Sequence, residues 1–214
     1  RYVIARWNPQ ETFKQPLSLQ EMALVVPQDS GLDFAQAEGN LILGLASPER
    51  KVTSIRAEPA DVQAAMASGR YSAFHFTGHG AMNGANPDRS EMKLERGKVF
   101  RPEDLSGRVR NLRAGRPIVF LNACQIGAGA MGLTGLGGWA QRFVESGAGA
   151  FLGAYWSVID RTAMAFAEVF YRELISGKPI GEAVLAARLS IRDAGDPTWL
   201  AYTLFAHPLS AVVP

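Results

Sequence analysis

The chain has 214 residues, 47% of them apolar and 20% charged, with a formal net charge of +2. That length suits one domain with a sizeable core, and so small a charge gives no argument for a nucleic-acid partner. No apolar stretch approaches the roughly 18 residues of a membrane span, and no secretory signal opens the chain. The single cysteine excludes an intrachain disulfide and fits a reducing cytoplasm, where it stays a thiol. The first residue is Arg1 rather than methionine, which reads as a domain cut from a longer polypeptide.

Short apolar runs alternate with helical patterns along the chain, the mark of an α/β sheet with helices on its faces. The first 21 residues, with Tyr2, Ile4 and Trp7, read as an edge strand or the remnant of a preceding module; the domain proper is expected over 22–214. Ala23 to Val26 predicts a strand ended by Pro27, residues 32–46 a helix, and Lys51 to Ile55 a second strand. Pro59-Ala60-Asp61 opens another helix, since proline fits the first helical position. Ser72 to Phe76 is the next strand. Residues 91–101 look like a polar hairpin turning at Arg96-Gly97, expected to project from the domain rather than build its core.

Ile118 to Leu121 is a continuous apolar run, as in a strand buried on both faces. Trp139 to Glu145 predicts a helix and Ala150 to Ala154 a strand. Phe166, Val169, Phe170 and Leu174 share one helical face, as do Ile180, Val184, Ala187 and Ile191 on a last helix opened by Pro179. Ala201 to Phe205 supplies a closing strand. Arg96, Lys98, Arg101, Arg108, Arg110, Arg113 and Arg116 form a basic stretch, but acids interrupt it and no aromatic platform accompanies it, so it reads as a solvated face.

Two motifs carry the chemistry. Thr77-Gly78-His79-Gly80 follows one strand, and Leu121-Asn122-Ala123-Cys124-Gln125 follows another, with Cys124 45 positions after His79. A cysteine nucleophile needs a base to take its proton and return one to the leaving amine, both held on rigid elements. Phe74-His75-Phe76-Thr77-Gly78-His79-Gly80, then Val119 to Gln125, then Gly153-Ala154-Tyr155-Trp156-Ser157-Val158-Ile159-Asp160 resemble, in that order, the caspase-type cysteine peptidases. More specifically they resemble the CHAT family, a caspase-like domain often found behind tetratricopeptide repeats, known in bacteria, and related to the separase protease domain. The resemblance covers residues 22–207.

That resemblance implies a caspase-like three-layer α/β fold with a mostly parallel central sheet. It implies a cytoplasmic cysteine endopeptidase acting on a protein or peptide substrate, with no metal and no organic cofactor, and an attached regulatory module such as tetratricopeptide repeats. Cys124 would be the nucleophile, His79 the base, and the amides of Gly80 and Cys124 the oxyanion hole. A glycine after the histidine lets backbone approach a substrate carbonyl closely, and paired N–H groups stabilise a developing oxyanion. In arginine-directed relatives the stretch around Asp160 lines the primary specificity pocket, so Asp160 would select a basic residue before the scissile bond. Otherwise Asp160 caps a helix starting at Thr162. Trp156 and Tyr155 are either walls of the substrate groove or core aromatics.

Other readings of the same residues compete. His75 invites a zinc site with His79 and Cys124, but i and i+4 on a strand lie about 13 Å apart; a core histidine with one satisfied nitrogen suits it better. Gly127 to Gly132 matches G-x-G-x-x-G letter for letter, yet Cys124-Gln125-Ile126 separate it from the strand end and the expected acid is missing. Ala206-His207-Pro208 resembles the class I glutamine amidotransferases, but the glycines flanking their cysteine are absent here and Leu209 stands where a glutamate belongs. A caspase-like fold can also persist as a catalytically silent interaction module.

Overall fold

The structure, a computed structural model, describes residues 2–6, 15–81, 83, 85–105, 107, 112–124 (for Cys124 the backbone alone) and 138–213. Trp7, Arg108, Arg110 and the glycine run Gly127 to Gly132 lie outside them. One mixed sheet of eight strands organises the chain, with the path β2-β1-β3-β6-β7-β8. β1 is Glu21–Val25, β2 Lys51–Ile55, β3 Ala73–Ala81, β6 Ile118–Cys124, β7 Ala150–Ala154 and β8 Tyr202–Phe205. These pair in parallel except β8, which runs antiparallel to β7. Arg6 bridges to Phe205 beyond β8, while Tyr2 and Ile4 stay exposed.

Helices cover both faces of the sheet, as the alternation of strand residues requires. Met22 and Leu24 of β1 join Ile118 and Phe120 of β6 on one face, under α1 (Asp33–Leu43), α4 (Asp160–Ile175) and α5 (Ile180–Ser190). Ala23, Val25, Val119 and Leu121 face the other way, toward α2 (Pro59–Ala67) and α3 (Trp139–Glu145). The short α6 (Thr198–Ala201) leads into β8. Such double covering is why the central strands read as unbroken apolar runs. Leu17 and Leu19, ahead of β1, are buried in the first of these cores.

Two expectations needed revision. β3 does not stop at Phe76; it runs on through Thr77-Gly78-His79-Gly80 to Ala81, because β6 continues as its partner up to Cys124. The segment 91–101 does form a hairpin, β4 (Glu91–Lys93) and β5 (Val99–Phe100), with its turn at Arg96 and Gly97 in left-handed backbone. It does not project. β4 pairs with Gly80 and Ala81 of β3, and Met92, Leu94 and Phe100 are buried in the second core. Its polar residues drew attention to the solvent face of a strand pair whose other face is apolar.

Candidate active site

His79 sits near the end of β3, half-buried, and its register partner on the neighbouring parallel strand is Cys124, the last residue of β6. Neighbouring strands lie about 4.8 Å apart, so the two backbones meet side by side at the carboxyl end of the sheet, where open α/β sheets place ligands. The imidazole Nε2 lies 2.9 Å from the carbonyl oxygen of Ser30. A carbonyl can only accept, so Nε2 carries the proton and donates it, which leaves Nδ1 as the basic nitrogen. Ser30 belongs to the loop from β1 to α1. Gly80, next along, is in register with Met92 of the hairpin.

Beneath the dyad lies a buried polar cluster that joins the two strands. Glu38 of α1 is 1% exposed and His75 fully buried. The His75 Nε2 lies 2.8 Å from Glu38 Oε1, and its Nδ1 lies 3.0 Å from the Tyr171 hydroxyl. Both ring nitrogens thus have partners, where one was expected. Thr77 donates to Glu38 Oε2 at 3.2 Å. Asn122 donates its amide to both Glu38 oxygens and to the Ala163 carbonyl, and accepts the Tyr202 hydroxyl at 2.7 Å. Burial, with the Glu38 carboxylate adding to it, pushes the Tyr171 phenol well above its ordinary pKa. One carboxylate therefore ties the residue two before His79 to the residue two before Cys124.

Glu38 is the participant that sequence reasoning missed. Its signal was an acid on an otherwise small or apolar stripe: Ala35, Glu38, Gly39 and Ile42 are the buried residues of α1, at i, i+3, i+4 and i+7. Gly39 makes the approach close enough, since a Cβ there would stand 2.9 Å from Val26 Cγ2.

Asp160 is the first residue of α4, and that helix has Ile159 at its N-cap without a side-chain cap. The Asp160 carboxylate instead reaches across to α1, where Oδ2 accepts the Phe34 amide at 3.1 Å. Burial raises its pKa; hydrogen bonds from the Phe34 and Ala35 amides and the charge of His79 oppose that rise. Trp156, 37% exposed, follows β7 beside these groups in sequence. Tyr155 is half-buried, its hydroxyl enclosed and the Arg6 guanidinium 5.4 Å above its ring. His207 Nδ1 accepts the Leu209 amide at 3.2 Å, near the chain's end.

The basic stretch is largely ion-paired where it is described: Arg101 with Glu91, and Lys98 with Glu58. No helix among the described residues is long and apolar enough to cross a membrane.

Residues 7–209 match the family model of the CHAT domain. The chain belongs to the CHAT family. No curated protein matches this CHAT domain. Among solved structures it is similar to the separase–securin complex of Saccharomyces cerevisiae, at 14% identity and a TM-score of 0.59, over 95% of this chain and 13% of that one. It is also similar to a protease, at 11% identity and a TM-score of 0.68, over 92% of this chain and 49% of that one. A third is the Arg-specific cysteine proteinase gingipain R, at 13% identity and a TM-score of 0.60, over 93% and 50%. The CHAT domain thus spans about half or less of these chains. What they share with it is the fold, a mostly parallel sheet between helical layers as in caspase-like cysteine proteases.

Proposed function

We propose that this CHAT domain is a cysteine endopeptidase that cuts a protein substrate with a His79/Cys124 dyad. The observation that carries the reading is the register of β3 on β6, which sets His79 beside Cys124 while Ser30 holds the Nε2 proton. Nδ1 of His79 takes the thiol proton, and the Cys124 sulfur attacks the carbonyl carbon of the scissile peptide. The oxyanion is held by the amides of Gly80 and Cys124. Collapse breaks the C–N bond, the departing amine takes the proton from the imidazolium, and a thioester remains. Water, deprotonated by the same imidazole, then attacks the thioester, releases the acid and restores the thiol.

In this reading Trp156 and Tyr155, just past the end of β7, serve as walls of the substrate groove. Cleavage after a basic residue would need the Asp160 carboxylate to receive a cation while its Oδ2 accepts the Phe34 amide.

The test is cleavage of a proteome-derived peptide library, together with iodoacetamide labelling of Cys124. Cleavage should vanish in Cys124→Ala and in His79→Ala, and survive in His207→Ala. Absence of cleavage by the wild type, combined with alkylation no faster than that of a free thiol, would leave a catalytically silent interaction module instead.

A further inference from the structure

The Ser30 carbonyl that orients His79 lies in a loop whose own hold near it is one long hydrogen bond, from the Leu32 amide to the Ser30 hydroxyl at 3.4 Å. Gly31 follows in left-handed backbone, with nothing within 4 Å of the place a Cβ would take. Contacts from outside hold the loop on either side of Ser30. Ahead of it, the Gln28 amide donates to Glu95 at 3.4 Å, and the Gln36 side chain of α1 donates to the Pro27 carbonyl at 2.9 Å. Asp29 accepts the Arg96 amide from the hairpin turn, at 2.7 Å. On the other side, α1 begins at Asp33 with Leu32 at its N-cap, a residue with no side-chain acceptor to offer. The amide of Phe34 is satisfied from 126 residues away, by Asp160.

We infer that Asp160 is a positioning residue for the catalytic base: by capping α1 it holds the Ser30 carbonyl against Nε2 of His79, and so aims Nδ1 at Cys124. This rests on the dyad reading for its catalytic consequence, though the orientation of His79 can be read without it. A helix that lacks its own cap frays at its first turn, and only Gly31 and Leu32 separate that turn from Ser30. A pocket carboxylate would behave differently. It would leave the histidine untouched and matter only to substrates with a cation to offer.

The experiment uses Asp160→Ala and Asp160→Asn, the second keeping a carbonyl oxygen that can accept the Phe34 amide. In the Cys124→Ala background, the proton that His79 Nε2 donates to Ser30 is followed by NMR; the chain has only three histidines to assign. That resonance should be protected from exchange, lost in Asp160→Ala and regained in Asp160→Asn. With Cys124 present, alkylation by iodoacetamide should slow about tenfold in Asp160→Ala and recover most of that in Asp160→Asn, a change of the size expected when a base is misaligned. For peptides that are cut, kcat should fall and KM hold, whatever residue precedes the scissile bond.

An unchanged Nε2 signal in Asp160→Ala would overturn the inference. So would normal alkylation alongside selective loss of cleavage after arginine or lysine, which would return Asp160 to the pocket. If the NMR result holds while alkylation of the wild type does not depend on His79, the dyad fails and the positioning of the histidine stands.

Discussion

The Asn122 amide nitrogen lies 2.8 and 2.9 Å from the two oxygens of Glu38, a residue 84 positions earlier. Through this contact helix α1 is bound to the strand that ends in Cys124. Through Thr77 and His75 the same carboxylate binds the strand that carries His79. A buried carboxylate is tolerated only when its lone pairs are filled, and here three side chains, His75, Thr77 and Asn122, make four contacts to it.

Removing Glu38 should therefore be among the costliest single changes in the domain. Glu38→Ala leaves His75, Thr77 and Asn122 without their shared acceptor, and should lower stability by about 3–5 kcal/mol. Tyr171→Phe strips a partner from only one His75 nitrogen and should cost about 1–3 kcal/mol. Urea unfolding of both variants checks the order. Equal and small effects would mean that water replaces the carboxylate readily.

Gly39 lets α1 lie close to the end of β1. Gly39→Ala should destabilise by about 1–3 kcal/mol, because its new methyl meets Val26 Cγ2 at 2.9 Å. Val26→Ala removes that obstacle. In the Val26→Ala background the same substitution should become neutral or stabilising by up to about 1 kcal/mol, the gain of alanine over glycine within a helix. A thermal double-mutant cycle reads the reversal of sign.

The hairpin β4–β5 is core, and truncating it should show this. Phe100 is 1% exposed and packs on Trp139 with ring centroids 6.0 Å apart. Phe100→Ala should cost about 3–5 kcal/mol, whereas Lys93→Ala on the exposed side of the hairpin should stay within about 0.5 kcal/mol. Comparable losses from the two would contradict the packing described above.

Asp160 should leave a mark on the acid side of the stability profile. Burial raises its pKa above the ordinary 3.8, against the pull of the Phe34 amide and of His79. A carboxyl raised on folding holds its proton more tightly when folded. Its contribution is complete below the unfolded value and is lost as pH climbs through the folded one. The wild type should therefore lose ground relative to Asp160→Asn as pH rises from about 3 to about 6, measured by urea midpoints. A gap between the two that is constant with pH would show that the carboxyl feels no net burial.

Much of this was legible in the residues. β2, β7 and α3 fall where Lys51 to Ile55, Ala150 to Ala154 and Trp139 to Glu145 put them, because a short run rich in β-branched or apolar residues and a period of 3.6 are local properties. The motif around His79 and Cys124 was visible for the same reason. The reach of β3 past Phe76 was hidden, since Thr-Gly-His-Gly has poor strand propensity and becomes strand only because β6 and β4 lie on either side of it. The hairpin misled through its charges. Arg101 and Lys98 face carboxylates at the surface while Met92 and Phe100 turn inward.

By itself the sequence determined the order of helices and strands, the double covering of the sheet and the two motifs, because each is written in a short window of neighbouring residues. Only the tertiary structure decided that Glu38 joins both motif strands, that Asp160 caps a helix other than its own, and that Ser30 orients His79. Those contacts join residues 37 to 126 positions apart, 49 in the case of Ser30 and His79. Nothing local encodes them; they follow from how two helices and a twisted sheet settle against one another so that the polar groups between them find partners.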